Sequence, residues 1–121
     1  MKFRMLCGSL IIALTLNACS ITVPVAVIEK KGGKGHILKG TAHADINGGS
    51  FQVSDGRLTC AGSYDSLDTS TTITMPVHCS DGRKGFVVAT RQANGVDGFG
   101  KVTLSDGSQA DFVFGKAAEA F

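Results

Sequence analysis

The sequence predicts an all-β domain: a small antiparallel meander or barrel of about seven or eight short strands with one disulfide. Three observations lead there. The tripeptide Ser-Asp-Gly recurs at 54–56, 80–82 and 105–107. An Asp-Gly pair between alternating apolar residues is a strong hairpin signal, because the tight turn needs positive φ. From residue 40 onward Val, Ile and Phe alternate with polar residues, and no stretch repeats at the 3.6-residue period of an amphipathic helix. Two cysteines, Cys60 and Cys79, occupy apolar positions beside two of the turns.

The elements follow in order. "GTAHADINGGSFQV" reads as a strand, a turn at Asn47-Gly48-Gly49 and a second strand. A two-residue turn at Asp55-Gly56 would set Val53 against Leu58 and Phe51 against Cys60, apolar against apolar. The same turn at Asp81-Gly82 would set Val77 against Phe86 and Met75 against Val88, with Cys79 on that face. "ATRQANGVDGFGKV" turns near Asn94-Gly95. At the third tripeptide a two-residue turn would pair Val102 with Asp111. A three-residue loop, Asp106 to Ser108, instead pairs Leu104 with Ala110 and Val102 with Phe112, so a bulged turn is expected there.

The N-terminus has a different logic. Lys2 and Arg4 precede Met5–Leu16, an apolar run too short to span a membrane and of the length of a signal-peptide core. It ends Leu16-Asn17-Ala18-Cys19, which resembles the lipobox of bacterial lipoproteins: Leu at −3, a small residue at −1, Cys at +1. The resemblance covers about the first twenty residues. It implies a diacylglyceryl group on Cys19, removal of the signal peptide 1–18, and acylation, with palmitate for example, of the new amine. Two or three chains on one Cys anchor a protein firmly where one chain holds only marginally. Ser20 at +2, in place of Asp, implies sorting to the outer membrane, facing the periplasm or the exterior. The competing reading is a buried N-terminal helix with Cys19 as a small core residue.

Export bears on the cysteines. Cys7 leaves with the signal peptide and Cys19 is lipidated, so Cys60 and Cys79 remain as a pair in an oxidising compartment and are expected to form a disulfide. A metal site using His78 beside Cys79 competes poorly, since neither a Cys-x-x-Cys nor a spaced His pair is present. No metal and no cofactor is expected.

The chain divides into the signal peptide 1–18, a lipidated Cys and flexible basic tether at 19–39, and a hairpin domain at 40–121. Loss of Lys2 and Arg4 cancels the formal +2 charge, so net charge implies no nucleic-acid partner. Lys30, Lys31, Lys34 and Lys39 concentrate before residue 40, against Glu29. Two readings of that stretch stay open: a tether that hugs anionic lipid, and a solvated linker.

Catalytic signatures are missing from the sequence: no Gly-x-Ser-x-Gly elbow, His-Glu-x-x-His helix or EF-hand loop is present. His36, His43 and His78 read as surface residues, and Ser63, Ser66 and Ser70 have no base set beside them. Asp65 and Asp68 could pair as acid and base, but a polar loop would not split their pKa values. That loop, "GSYDSLDTSTT", is long for a hairpin domain, lies within the Cys60–Cys79 ring and holds the only Tyr. Tyr64, Asp65 and Asp68 are therefore the candidate partner-binding residues. "GFGKVTLSDG", through Gly98, Gly100, Asp106 and Gly107, resembles MORN hairpins, which implies a scaffold or membrane-associated surface. Phe121 resembles the terminal signal of outer-membrane barrels, but Glu119 breaks the required alternation.

The expectation is an outer-membrane lipoprotein, not an enzyme, acting as a binding or envelope-accessory module. Its partners would be the membrane through Cys19 and an envelope protein or a foreign enzyme. The alternatives are a lysozyme-type inhibitor and a structural surface lipoprotein.

Overall fold

A computed structural model describes residues 20–31 and 34–121. The expected signal peptide 1–18 and the expected lipidation site Cys19 lie outside the described residues. Eight strands run in chain order: β1 (Ile21–Lys31), β2 (Lys34–Asp45), β3 (Gly48–Ser54), β4 (Thr59–Tyr64), β5 (Thr72–Cys79), β6 (Lys84–Arg91), β7 (Gly98–Leu104) and β8 (Gln109–Phe114). Each pairs antiparallel with the next, and β8 returns to pair with β1, giving a closed up-and-down barrel. Closure removes the two free edges that an open eight-stranded meander would have. A short 3₁₀ helix, Gly115–Ala120, lies outside β1. There Ala118 is buried, and so is the outward-facing Ala26.

The expected fold class holds, with a disulfide between Cys60 and Cys79. The expected domain start at residue 40 needs correction. Residues 21–31 form β1 and residues 34–39 the first half of β2, not a tether. Val23, Val25 and Val27 alternate into the barrel and pair with Ala42, Gly40 and Leu38. Lysines at the tip and a proline within the run mask this period in the sequence. Pro24 is tolerated because the β8 ladder begins at Val25. Pro76 likewise falls just past the β4 ladder, which ends at Val77.

The interior follows the strand period. Strand β5 shows it most cleanly, with Ile73, Met75, Val77 and Cys79 buried and Thr72, Thr74, Pro76 and His78 exposed. The core is centred on Val25, Leu38, Val53, Val77, Val87 and Phe112. Phe112 meets Phe51 edge to face at 5.1 Å, a favoured geometry for aromatic pairs.

The hairpin registers refine the expectations. In the first hairpin the loop is Asp55–Leu58, and Val53 pairs with Cys60, and Phe51 with Gly62. The register slips by two, so the faces stay as expected. In the third the loop is Ser105–Gly107, and Val102 pairs with Ala110, again with faces kept. The second hairpin differs by one residue and its faces reverse. The loop Ser80–Gly82 has three residues, closed by Cys79 N–H donating to the Arg83 carbonyl at 2.9 Å. Val77 therefore pairs with Gly85 and Met75 with Val87. Val87 and Ala89 go inside, and Phe86 and Val88 are exposed outside.

The repeated tripeptide has a shared physical meaning. Its aspartates accept a hydrogen bond from the N–H two residues on: Arg57 to Asp55 at 2.8 Å, Arg83 to Asp81 at 3.1 Å and Ser108 to Asp106 at 2.9 Å. Its glycines take φ of +97°, +94° and +89°, where a side chain would be strained. In the second and third copies the serine N–H continues the ladder to the preceding strand pair, Ser80 to the Thr59 carbonyl at 2.7 Å and Ser105 to that of Lys84 at 2.6 Å. Because a meander returns to one end after every second strand, all three copies lie at the same end of the barrel.

These aspartates make stability acid-sensitive. Backbone N–H groups of Leu58 and Arg57 hold Asp55 below the usual carboxylate range, that of Arg83 does so for Asp81, and the Ser108 side chain and N–H do so for Asp106. A lowered folded pKa stabilises the fold above the unfolded value, near 4, and that stability is lost as pH falls through the folded values. The melting temperature should hold from pH 7 to about 5 and fall below about 4. Changing all three residues to Asn, which keeps an acceptor oxygen but does not ionise, should flatten that fall. An unchanged acid slope in thermal melts would refute the assignment.

Candidate functional site

The barrel has two unlike ends. One, the floor, gathers the end of β1, the start of β2 and the three Ser-Asp-Gly loops. It is plugged by Arg83, whose Nε donates to Asp81 Oδ2 at 2.8 Å and whose Nη1 donates to Ser108 Oγ at 3.1 Å. The same Nη1 lies 3.4 Å from Asp106 Oδ2 and 3.6 Å from Glu29 Oε2, an inward-facing acid of β1. Burial acts to lower the Arg83 pKa, but the carboxylates of Asp81, Glu29 and Asp106 outweigh it, and the guanidinium is held charged above its ordinary value. Leu58 and Leu104 pack beneath this plug.

The opposite end, the mouth, is built from the start of β1, the Ile46-Asn47 turn, the loops 65–71 and 92–97 and the end of β8. A cavity of about 190 Å³ opens here. Ile21, Val23, Ala42, Ala44, Ala89 and Val96 line it in part, together with Met75, Phe112 and Phe114. Several inward positions near the mouth are small. Ala42, Ala44, Gly49, Ala89 and Gly98 occupy sites that Val and Leu fill on the floor side. An eight-stranded barrel has just enough interior for packed side chains or one small ligand; this one packs its lower half and leaves the upper half open. Two of the small positions are obligatory. A Cβ at Gly49 would collide with the Tyr64 ring, and one at Gly98 with the Phe114 ring.

The polar groups at the mouth are few. Tyr64 and Ser66 line it, and Ser66 Oγ donates to the Asp45 carbonyl, tying the loop 65–71 to the β2–β3 turn. Burial raises the Tyr64 phenol pKa, opposed by the charge of Arg91. Arg91, inward-facing at the end of β6, straps the same loop: Nη2 donates to the Asp68 carbonyl at 2.8 Å and also to that of Ser70. Asp97 holds the other loop down, accepting from Lys116 N–H at 2.6 Å.

The three candidate binding residues therefore separate. Tyr64 faces the cavity. Asp65 and Asp68 do not, because each carboxylate turns back on its own chain, to Leu67 N–H at 2.9 Å and Ser70 N–H at 2.8 Å. Hydrogen bonds from the Ser70 side chain and N–H lower the Asp68 pKa. These two aspartates shape the loop and form no acid–base pair. The histidines are exposed as expected, His36 beside Asp55 at 2.6 Å and His43 accepting from or donating to Thr22 Oγ1 at 2.9 Å. Among the described residues no three His, Cys, Asp or Glu side chains gather as metal ligation would require.

Sequence reasoning missed the cavity and Arg91. The available signal was the placing of Ala and Gly at inward positions near one end of four strands, which needs the register before it can be read.

Fold and site define a closed eight-stranded up-and-down β-barrel with one plugged end and one open apolar end. No family model, curated protein or solved structure matches the chain.

Proposed function

We propose that this chain is a bacterial outer-membrane lipoprotein, anchored through acyl groups on Cys19, whose barrel is a non-enzymatic binding module with the mouth as its binding end. The observation that carries this reading is the apolar cavity of about 190 Å³ at the mouth. Ligand sites are concave, mostly apolar and edged by a few polar groups, and Tyr64, Ser66 and Arg91 supply that edge. A dry apolar cavity of about 150 Å³ already suffices for a small aromatic ligand.

Anchor and binding are tested separately. Intact mass of the protein from bacterial membranes should show Cys19 at the N-terminus with diacylglycerol and a further acyl group. Cys19→Ser should lose that mass and leave the membrane fraction. A Cys19→Ser protein that stays in the membrane with full lipid mass would overturn the anchor. For the module, native mass spectrometry of the barrel after exposure to an envelope extract should show a bound small apolar molecule. A barrel that returns empty would overturn the binding role of the mouth.

A further inference from the structure

The exposed apolar side chains of the barrel are not scattered evenly. Among the described residues Ile46 and Leu67 are the most exposed large hydrophobics, each at 68%; Phe86 and Phe99 come next, on the outer wall of β6 and β7, and Ile21 at 51% shares the rim with the first two. Ile46 sits in the β2–β3 turn and Leu67 in the loop 65–71, and Ser66 joins these two segments directly. Ile21 opens β1 beside Ala44 and lines the cavity. The rim thus presents three aliphatic side chains around an apolar opening. Clustered apolar exposure of this kind marks an interaction surface.

The position of the rim identifies its partner. Ile21 is two residues from Cys19, a reach of only about 7 Å even fully extended. The basic strand tip, Lys30 and Lys31 with Lys34, is at the other end of β1, about 30 Å away at the rise of a strand. The lysines near the anchor in sequence are therefore carried away from it by the fold, and the apolar mouth is brought to it. Charge selects the kind of surface. Asp45, Asp65, Asp68 and Asp97 lie at the mouth end with Arg91 and Lys116, so a strongly anionic layer is disfavoured. The ammonium groups of zwitterionic headgroups suit it.

We propose that the barrel stands mouth-down on a zwitterionic bilayer, with Ile21, Ile46 and Leu67 inserted at the interface and the cavity holding an acyl chain of a bilayer phospholipid. This deepens the binding reading above and rests on it for the ligand site. Its orientation argument rests on the anchor.

The test uses the barrel of residues 20–121, which contains every strand, the β1–β8 seam and the disulfide. It lacks Cys19, so a failed anchor and a failed mouth give different results. The barrel should co-float with phosphatidylcholine vesicles, and should bind the fluorescent fatty acid cis-parinaric acid at one per barrel. Ile46→Asp with Leu67→Asp should cut co-flotation at least tenfold and leave cis-parinaric acid binding unchanged. Both residues are exposed, so the fold should be retained, which circular dichroism checks. Ala44→Phe and, independently, Val96→Phe should fill the mouth and weaken cis-parinaric acid binding at least tenfold. Fatty-acid binding without vesicle binding would overturn the bilayer as the source. Co-flotation that survives the double Asp change would overturn the rim. Undiminished cis-parinaric acid binding in both filled variants would overturn the cavity.

Discussion

Phe112→Ala should destabilise the barrel by about 3–5 kcal/mol, the range for truncating a buried aromatic. Phe112 is 2% exposed, its ring packs on Phe51 at 5.1 Å, and it lies between the closed lower core and the open cavity. Removing it takes away apolar burial and an edge-to-face contact, and joins new void to the cavity already there. Strand neighbours fixed in closed ladders cannot collapse into the space. Phe99→Ala is the control. Phe99 is of the same type on the adjacent strand, but it points outward and is 57% exposed, so its loss should stay within about 0.5 kcal/mol. Denaturant unfolding of both variants reads the difference. Equal losses would mean that the interior assignment of β7 and β8 is wrong.

Reducing the disulfide, or replacing Cys60 and Cys79 together by Ala, should cost about 3 kcal/mol, a fall in melting temperature on the order of 10–20 °C for a domain of this size. The number comes from the loop entropy of the unfolded chain, but the location gives it a structural target. The β4–β5 ladder spans only Cys60–Gly62 against Val77–Cys79, and is the shortest around the barrel. The cysteines are directly opposed at its floor end, and the loop 65–71 separates the strands at the mouth. The bridge thus secures the place where the circle is least hydrogen-bonded. Amide exchange should accelerate first in β4 and β5 on reduction. Uniform acceleration around the barrel would show a purely global effect.

Much of this was legible in residues 40–121. The alternation of β5 and the Ser-Asp-Gly tips gave strand number, antiparallel order and the disulfide face, because each depends on local chemistry with a period of two. The loop lengths were not legible. Asp-Gly serves equally in a two-residue turn and as the end of a three-residue loop, and the choice made at Ser80–Gly82 moved Phe86 and Val88 outside. Strands β1 and β2 were hidden because Lys30, Lys31, Lys34 and three glycines dominate the composition beside Val23, Val25 and Val27, which carry the period. The candidate site was legible only in Tyr64. The cavity is formed by Ala42, Ala44 and Ala89, residues from different strands whose meeting depends on barrel closure. Asp65 and Asp68 drew attention as acids although their chemistry is that of turns.

The seam between β1 and β8 also has a mechanical meaning. Strand β1 is the one that leads to Cys19, and it is gripped on both sides, by β2 along its whole length and by β8 over Val25–Glu29. Ladder hydrogen bonds lie across the strand direction. A pull on the N-terminal end of β1, such as the proposed anchor would deliver, therefore loads both ladders in shear, many bonds at once, and does not peel them one by one. The first strand of the barrel is thus built into the wall on two sides, and a force applied at its N-terminal end passes into the whole circle before any strand can leave it.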